Sequence, residues 1–546
     1  MKKNARKLLA LLLCLIMVAA LAACNGNTSN SNNNTATGDT SSNNSSGGDT
    51  STGDTSTGDS SATTASSGRD DLIIALTADS GTLDPLYNVG WDLLNAIRML
   101  YEPLWEYHEG TVQRCVLAES VDASDPLHWI IKLKKDVTFA NGNPFTAEDV
   151  LFSLWRANNR TGVSAFIPEI DLDNSFAPDD YTVELLFTEA SIGHLTTFAS
   201  VYMFDKESFN DDTVSTTPIG TGPYEVVEYV VNSHFKLKAR DGYWGVAPNI
   251  PNLEFRVLSE ESQRVNALQT GEVDIAPVPF QDITFVQDMP NLNVYLFAAD
   301  TTSCLYMNTS ATRPVFSSMD ETARQAIAYG INREAIVNIV YDGFAKVSRF
   351  PLSSGTQDAE ERFYDMGVYG HGYDPELAKQ LAESSGLVNH EILLINNGNP
   401  TNSLICELIQ ANMKDIGVTV NVQSYDSGSW LTLVFDETQW DMAVDFTFGS
   451  TCAAGYRSWT RMHAGGAYLT SEWPGNDEFL PIIETIMQLT DKVVLSDLYM
   501  QLTEIHTNAM IWFALVDTLV PSAYNKDLKG WAPMLSGNII YTDLSW

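Results

Sequence analysis

An α/β fold of at least two lobes is what this sequence predicts. From about residue 71 onward, short apolar runs alternate with helix-period segments, which implies α/β layers with largely parallel sheets. More than 450 of the 546 residues take part. That is more chain than a single core serves. A hydrophobic content of 44%, with 12 Trp, 21 Tyr and 23 Phe, supplies the apolar volume.

The elements follow in order. DLIIAL at 71–76 is an apolar strand, and TADSGTLDPLYN is a loop punctuated by Gly81 and Pro85. WDLLNAIRMLYEPLWEY places Leu94, Ile97, Leu100 and Tyr101 at helical spacing and is ended by Pro103. In the stretch 129–150, Trp129, Ile131, Leu133, Val137 and Phe139 share a parity and imply one buried strand face, with a turn at Asn141-Gly142. Thr146 to Asp149 reads as a capping box, the hydroxyl accepting from an early helical N–H while the carboxylate answers the dipole. ESQRVNALQTGEVDI is a helix stopped at Gly271 and followed by a short strand. LYMNTS is a strand, and the segment 320–343 is a helix pair with Asn332 as an N-cap. Helix and strand alternate again through YDPELAKQLAESSG, HEILLIN, LICELIQANMKDIG and VTVNVQSYD.

The chain does not begin as a globular protein. Lys2, Lys3, Arg6 and Lys7 precede an apolar run from Leu8 and small residues up to Cys24, the layout of a secretory signal over residues 1–23. Leu21-Ala22-Ala23-Cys24 resembles a bacterial lipobox, which implies lipidation of Cys24; with two or three acyl chains the anchoring is stable, each buried CH₂ contributing ~0.8 kcal/mol. From Asn25 to Gly68 every residue is Asn, Ser, Thr, Gly, Asp or Ala, so residues 24–70 read as a lipid-anchored disordered linker with an end-to-end distance of roughly 35–40 Å.

Charge and cysteine usage exclude several classes. The formal net charge is −38, and it becomes −42 once the four basic residues before Cys24 are removed. Such acidity argues against nucleic acid and against docking on anionic lipid. Cys115, Cys304, Cys406 and Cys452 show no metal-like spacing and read as separate buried thiols. No G-x-S-x-G, H-E-x-x-H, P-loop or G-x-G-x-x-G fingerprint appears. DLDNSF at 171–176 begins like an EF-hand loop, but Phe176 replaces the required glycine. The eight His residues form no cluster, so neither a metal nor a cofactor is expected.

These segments, in this order, resemble the family 5 extracytoplasmic solute-binding proteins, the dipeptide-, oligopeptide- and nickel-binding components of ABC importers. The resemblance is carried by TLDPLYN, YEPLW, the whole of 129–150, PIGTGPY at 218–224, RVNALQTGEVDI, YMNTS with ARQAIAYGINREAIV, and GYDPELAKQLAESSG. It implies a two-lobed clamp with an additional smaller domain and mixed sheets flanked by helices. Lobe I would combine 71–105, 218–305 and 515–546, the extra domain would be 106–217, and lobe II would be 306–514. The hinge would lie near Tyr306 and near Ala514. Ligand enclosed between the lobes would favour the closed state. The implied function is capture of a small ligand, with a peptide first, and delivery to ABC transporter permease subunits. The protein would be a monomer at a Gram-positive-type cell surface, joined to the membrane through its lipid alone. Rival readings are an oligosaccharide or nickel-complex binder, a peptide sensor, and a secreted wall-polymer hydrolase.

The candidate site centres on DMAVDFTFGS at 441–450. Trp440, Met442, Val444, Phe446 and Phe448 share one parity; Asp441, Ala443, Asp445 and Thr447 share the other. Ligands of open α/β sheets gather at the carboxyl ends of strands, and Asp445 lies closer to that end. The resemblance assigns Asp445 to the ligand's α-ammonium, although the chain continues FTFGSTCAAGYRSW where many members carry an Asp-Pro loop. Asp441 is expected to face solvent. Tyr87, Trp91, Trp430, Tyr456 and Trp459 are the aromatic candidates for enclosing a ligand side chain, and Tyr306 is one by family position. Arg457 and Arg461 are candidates for an anionic ligand end.

Overall fold

The computed structural model describes residues 69–87, 91–108, 111–159, 169–191, 193–353, 356, 359–434, 436–448, 473, 475–489, 492–531 and 539–546. The signal, Cys24, the linker through Gly68, Cys452, Tyr456, Arg457, Trp459 and Arg461 lie outside these residues.

The strands in chain order are β1 Asp71–Leu76, β2 Trp105–His108, β3 Thr111–Cys115, β4 Ala118–Asp125, β5 His128–Leu133, β6 Phe176–Asp179, β7 Thr182–Leu186, β8 Tyr224–Val230 and β9 His234–Ala239. They continue as β10 Asn252–Val257, β11 Ile275–Pro277, β12 Leu292–Met307, β13 Lys346–Val347, β14 Glu391–Asn396, β15 Thr419–Ser424, β16 Met442–Phe448 and β17 Trp512–Asn525. Eleven of them form one sheet in the order β15-β14-β16-β12-β17-β11-β1-β10-β9-β8, with β13 beside β17. A four-stranded sheet β4-β5-β7-β6 and the pair β2-β3 stand apart.

The large sheet is mixed, not largely parallel. Only β1 with β10 and β11, and β14 with β15 and β16, run parallel. Helix–strand alternation predicts parallel crossovers, and the two parallel groups obey it. Antiparallel pairing occurs between them, where the long strands β12 and β17 pair with each other and with their neighbours β16 and β11, with β13 beside β17, and at the edge, where β10, β9 and β8 form a meander.

The helices begin and end where the chemistry of their termini directs. Asn332 accepts from the Ala335 N–H at 3.0 Å and starts the helix Arg333–Val340. Gly271, at φ +75°, ends the helix Glu261–Thr270 in the left-handed conformation that glycine adopts without Cβ strain. The capping box at Thr146 differs from expectation. Its hydroxyl donates to Asp149 Oδ2 at 2.9 Å instead of accepting, and the same carboxylate takes the Thr146 N–H at 2.8 Å. The Asp149 N–H goes to the Thr146 carbonyl at 3.2 Å, which leaves the hydroxyl to donate to the carboxylate, the stronger acceptor. The parity run 129–139 is also broken. β5 ends at Leu133 and Asp136 sits at φ +67°, so Val137 and Phe139 reach the core from a turn and not from a strand.

The buried side chains form three clusters. One runs from Cys304 to Val516. A second joins β1, the four-stranded sheet and the C-terminal residues from Leu528 to Leu544, and a third packs the helix Glu261–Thr270 on Ala75, Ala276 and Ala523. The described chain moves between the first cluster and the other two only along β12 and β17.

Candidate functional site

Asp445 sits on β16 directly opposite Cys304 of β12, and Cys304 in turn stands opposite Ala514 of β17. Paired residues of an antiparallel ladder project to the same face, and so do residues two apart along a strand. Tyr306 therefore shares the face of Asp445, as does its partner Trp512. The Trp512 indole N–H donates to Cys304 Sγ at 2.7 Å, and its ring lies 4.9 Å from that of Tyr306. Asp445 is half-buried, whereas Cys304, Tyr306 and Trp512 are buried. The result is a half-buried carboxylate paired with buried Cys304, on the sheet face that carries the core rings of Tyr306 and Trp512, next to the strands that link the cores.

Trp512 and Cys304 were not among the sequence candidates. IWFALVD announces a strand by its apolar run, but which tryptophan shares a face with which carboxylate depends on register across three strands. Beneath Trp512 lies His506, whose ring faces both Trp512 and Trp473 at 6.3 Å. Complete burial pushes the His506 imidazole down to about 3, so it is neutral at physiological pH.

Asp441 is the correction at this site. It does not face solvent: it is 1% exposed and receives Arg313 Nε at 2.9 Å and Nη2 at 2.6 Å, together with the Leu393 N–H at 2.8 Å. Alternation places Asp441 and Asp445 on one face, but Arg313, just beyond the end of β12, covers the first. A buried carboxylate is tolerable because each oxygen has a charged or backbone donor.

The other candidates scatter. Trp430, in the helix Ser427–Val434, is 4% exposed and belongs to the core of the Cys304–Val516 cluster. Trp91 opens the helix Trp91–Ile97. Tyr87 is 43% exposed on the loop after β1. That loop is pinned by a buried pair the sequence did not reveal. Arg156 Nη1 donates to Asp84 Oδ1 at 3.0 Å and Nη2 to Oδ2, while the guanidinium lies over the rings of Phe204 and Phe209. Asp84 Oδ1 also takes the Leu86 N–H, and its carbonyl takes that of Tyr87 at 3.1 Å. Tyr456, Trp459, Arg457 and Arg461 fall outside the described residues. Thus the ladder register puts Asp445, Tyr306 and Trp512 on one face, with both rings in the same core cluster as Trp430.

The described cysteines Cys115, Cys304 and Cys406 are free thiols, and burial pushes the Cys406 thiol up to about 12. Among the described residues no group of His, Cys, Asp and Glu could hold a metal ion. At the EF-hand-like start, Asp171 instead accepts the Asn174 N–H at 3.2 Å on Oδ1 and Asn174 Nδ2 at 2.8 Å on Oδ2, so its carboxylate is spent within its own turn.

Comparison with known proteins gives the same architecture. The family model of bacterial extracellular solute-binding proteins, family 5 middle, matches residues 114–467. The glutathione-binding protein of Pectobacterium atrosepticum is 25% identical over 491 residues, covering 85% of this chain and 92% of that protein. Its counterpart in Escherichia coli K12 is 24% identical over 485 residues, covering 84% and 91%. Among solved structures, the ABC transporter substrate-binding protein CtaP of Listeria monocytogenes superposes with a TM-score of 0.76 at 21% identity, covering 87% of this chain and 99% of that one. The oligopeptide-binding protein AppA of Bacillus subtilis, in complex with a nonapeptide, gives 0.71 at 20%, covering 87% and 98%. These neighbours are two-lobed binding proteins, and the fold described above is theirs.

Proposed function

Because the chain belongs to the family 5 bacterial extracellular solute-binding proteins, we propose that it captures a small peptide between two lobes and hands it to an ABC transporter permease. The observation that carries the peptide reading is the Asp445 row: a half-buried carboxylate on the sheet face that also carries Tyr306 and Trp512, at the edge of the strands that cross between the cores. A carboxylate there accepts charge-assisted hydrogen bonds from an α-ammonium, and aromatic walls enclose side chains without demanding one chemistry. Glutathione, itself an amine-bearing tripeptide, is the ligand named for the relatives at 24–25% identity and fits that chemistry.

In this reading lobe I comprises 71–105, 218–305 and 515–546, the extra domain 106–217 and lobe II 306–514. Tyr87, Trp91, Trp430, Tyr456 and Trp459 remain contact candidates in addition to Asp445 and Tyr306. No bond is made or broken; closure and release are the whole cycle. Residues 1–23 direct export, Cys24 carries the lipid and 24–70 tether a monomer to the outer face of a Gram-positive-type membrane.

Native mass spectrometry of the purified mature protein tests the proposal. Co-purified peptide mass, stoichiometric and lost on denaturation, is the expected result. Catalytic turnover of peptide or glycan without stoichiometric binding would overturn it.

A further inference from the structure

Both covalent passages between the Cys304–Val516 core and the rest of the described chain run through one ladder. β12 carries the chain across and β17 brings it back. Pairing is regular from Leu292↔Asn525 to Ala298↔Leu519 and resumes only at Thr302↔Asp517, so three residues of β12 stand against one of β17. A second shift follows between Ser303 and Cys304. Extra residues of this kind bend a strand and interrupt its ladder, which puts the compliant point between the cores.

The first pair beyond the break is polar and buried. Thr302 Oγ1 donates to Asp517 Oδ1 at 3.0 Å, and Ser348 Oγ donates to the same oxygen at 2.8 Å. Ser348 follows β13, which pairs with β17 at Lys346↔Asp517 and Val347↔Val516. The Ser348 carbonyl accepts from Arg333 Nη1 at 2.6 Å. Arg333 is itself buried at the start of the helix Arg333–Val340, over the Phe513 and Tyr369 rings. The Tyr369 hydroxyl accepts the Ala514 N–H at 3.1 Å. Asp517 thus fastens β12, β17 and the 333–348 segment at one point, on the Cys304–Val516 side of the bend. A buried carboxylate is costly unless its partners are in place, so an apolar residue would serve a passive strand better.

We propose that Asp517 is the positioning residue of the hinge. With Thr302 and Ser348 it clamps one side of the bend, so that rotation between the lobes is confined to residues 299–301 of β12 and Thr518 of β17, which moves the two crossing points a few residues away from Tyr306 and Ala514 and puts Thr302 and Asp517 with lobe II. The proposal rests on the two-lobed capture reading, since only there does a defined hinge matter; the clamp sets how far and in which direction the lobes move, and through that the affinity.

The test measures interlobe distance in the full mature chain. Spin labels go on Val246→Cys and Val493→Cys, both exposed, in a background with Cys115→Ser and Cys452→Ser. Distance distributions are recorded without ligand for the otherwise native chain, for Asp517→Asn and for Thr302→Val, with amide hydrogen exchange of each. Both variants should widen the distribution at least two-fold and speed exchange at 293–303 and 515–522 about ten-fold, with the β14–β15 and β1–β10 ladders unchanged. Distributions as narrow as that of the native hinge, or exchange raised equally in all ladders, would overturn the proposal. Should Asp517→Asn fail to fold, Thr302→Val, which removes one donor at nearly constant shape, decides alone. Adding tri-alanine tests capture separately: a native chain that never narrows its distribution refutes that peptide as ligand while leaving the ligand-free comparison intact.

Discussion

Arg313 closes on Asp441 with two parallel hydrogen bonds, Nε to Oδ1 and Nη2 to Oδ2, and in doing so ties the turn after β12 to the start of β16. The Leu393 N–H, donated to the same Oδ2, brings in β14. One carboxylate thereby holds three strands in register next to the candidate site. Removing Arg313 leaves Asp441 buried without its charged partner. Arg313→Ala should therefore cost about 3 kcal/mol in a urea titration, at the low end for breaking a buried pair because Arg313 is itself partly exposed. The double variant Arg313→Met, Asp441→Leu should lose less than the sum of the single losses, since neither charge is stranded. Additive losses would show that the pair is not coupled.

Asp445 offers the most direct probe of ligand chemistry. Asp445→Ala should weaken binding of an amine-bearing peptide ten-fold or more, on the order of the 1.5–3 kcal/mol of a hydrogen bond to a charged group. Calorimetry with glutathione and with its N-acetylated form supplies the control: acetylation should abolish the difference between native and variant. Equal affinities in native protein and variant would remove Asp445 from the site.

His506 should make stability fall in acid. Its folded value, depressed by burial to about 3, lies below the ordinary value near 6.5, so the unfolded chain binds the extra proton first. The stability from a neutral His506 is complete above about pH 6.5. It then declines by about 1.4 kcal/mol per pH unit down to about pH 3. His506→Phe should flatten that part of the profile, measured as denaturation midpoints at pH 7, 5.5 and 4. An unchanged slope would place the acid sensitivity elsewhere.

The motif PIGTGPY has a steric reason for its glycines. A Cβ on Gly220 would stand 2.1 Å from the Leu100 carbonyl oxygen, and one on Gly222 would stand 2.5 Å from that of Met99. The obstacle is backbone, which cannot rotate away as a side chain can. Gly220→Ala should cost about 3 kcal/mol, the upper part of the overpacking range, and Gly222→Ala nearly as much. Thermal unfolding that shifts by less than a degree in either variant would contradict the close approach.

Much of the fold was legible because its signals are local. The Asn332 cap, the stop at Gly271 and the helices and strands from Glu321 to Ser424 depend on residues within a few positions of one another. The errors have a common cause. The reversed hydrogen bond at Thr146 turned on a hydroxyl that can donate as well as accept, and the break at Asp136 on a backbone conformation that parity counting does not register. The sheet was expected to be largely parallel because helix–strand alternation is silent about two long strands that return on each other.

The candidate site shows the boundary most clearly. Sequence by itself determined that the stretch 441–450 is a strand bearing two acids of one parity, and that aromatic residues are abundant. Only the tertiary structure decided their environments: Arg313, distant by 128 positions, buries Asp441, whereas Asp445 pairs with Cys304 on the face shared by Tyr306 and Trp512. The physical reason is range. Periodicity and capping are set by neighbours along the chain, but burial and ion pairing are set by register across strands hundreds of residues apart.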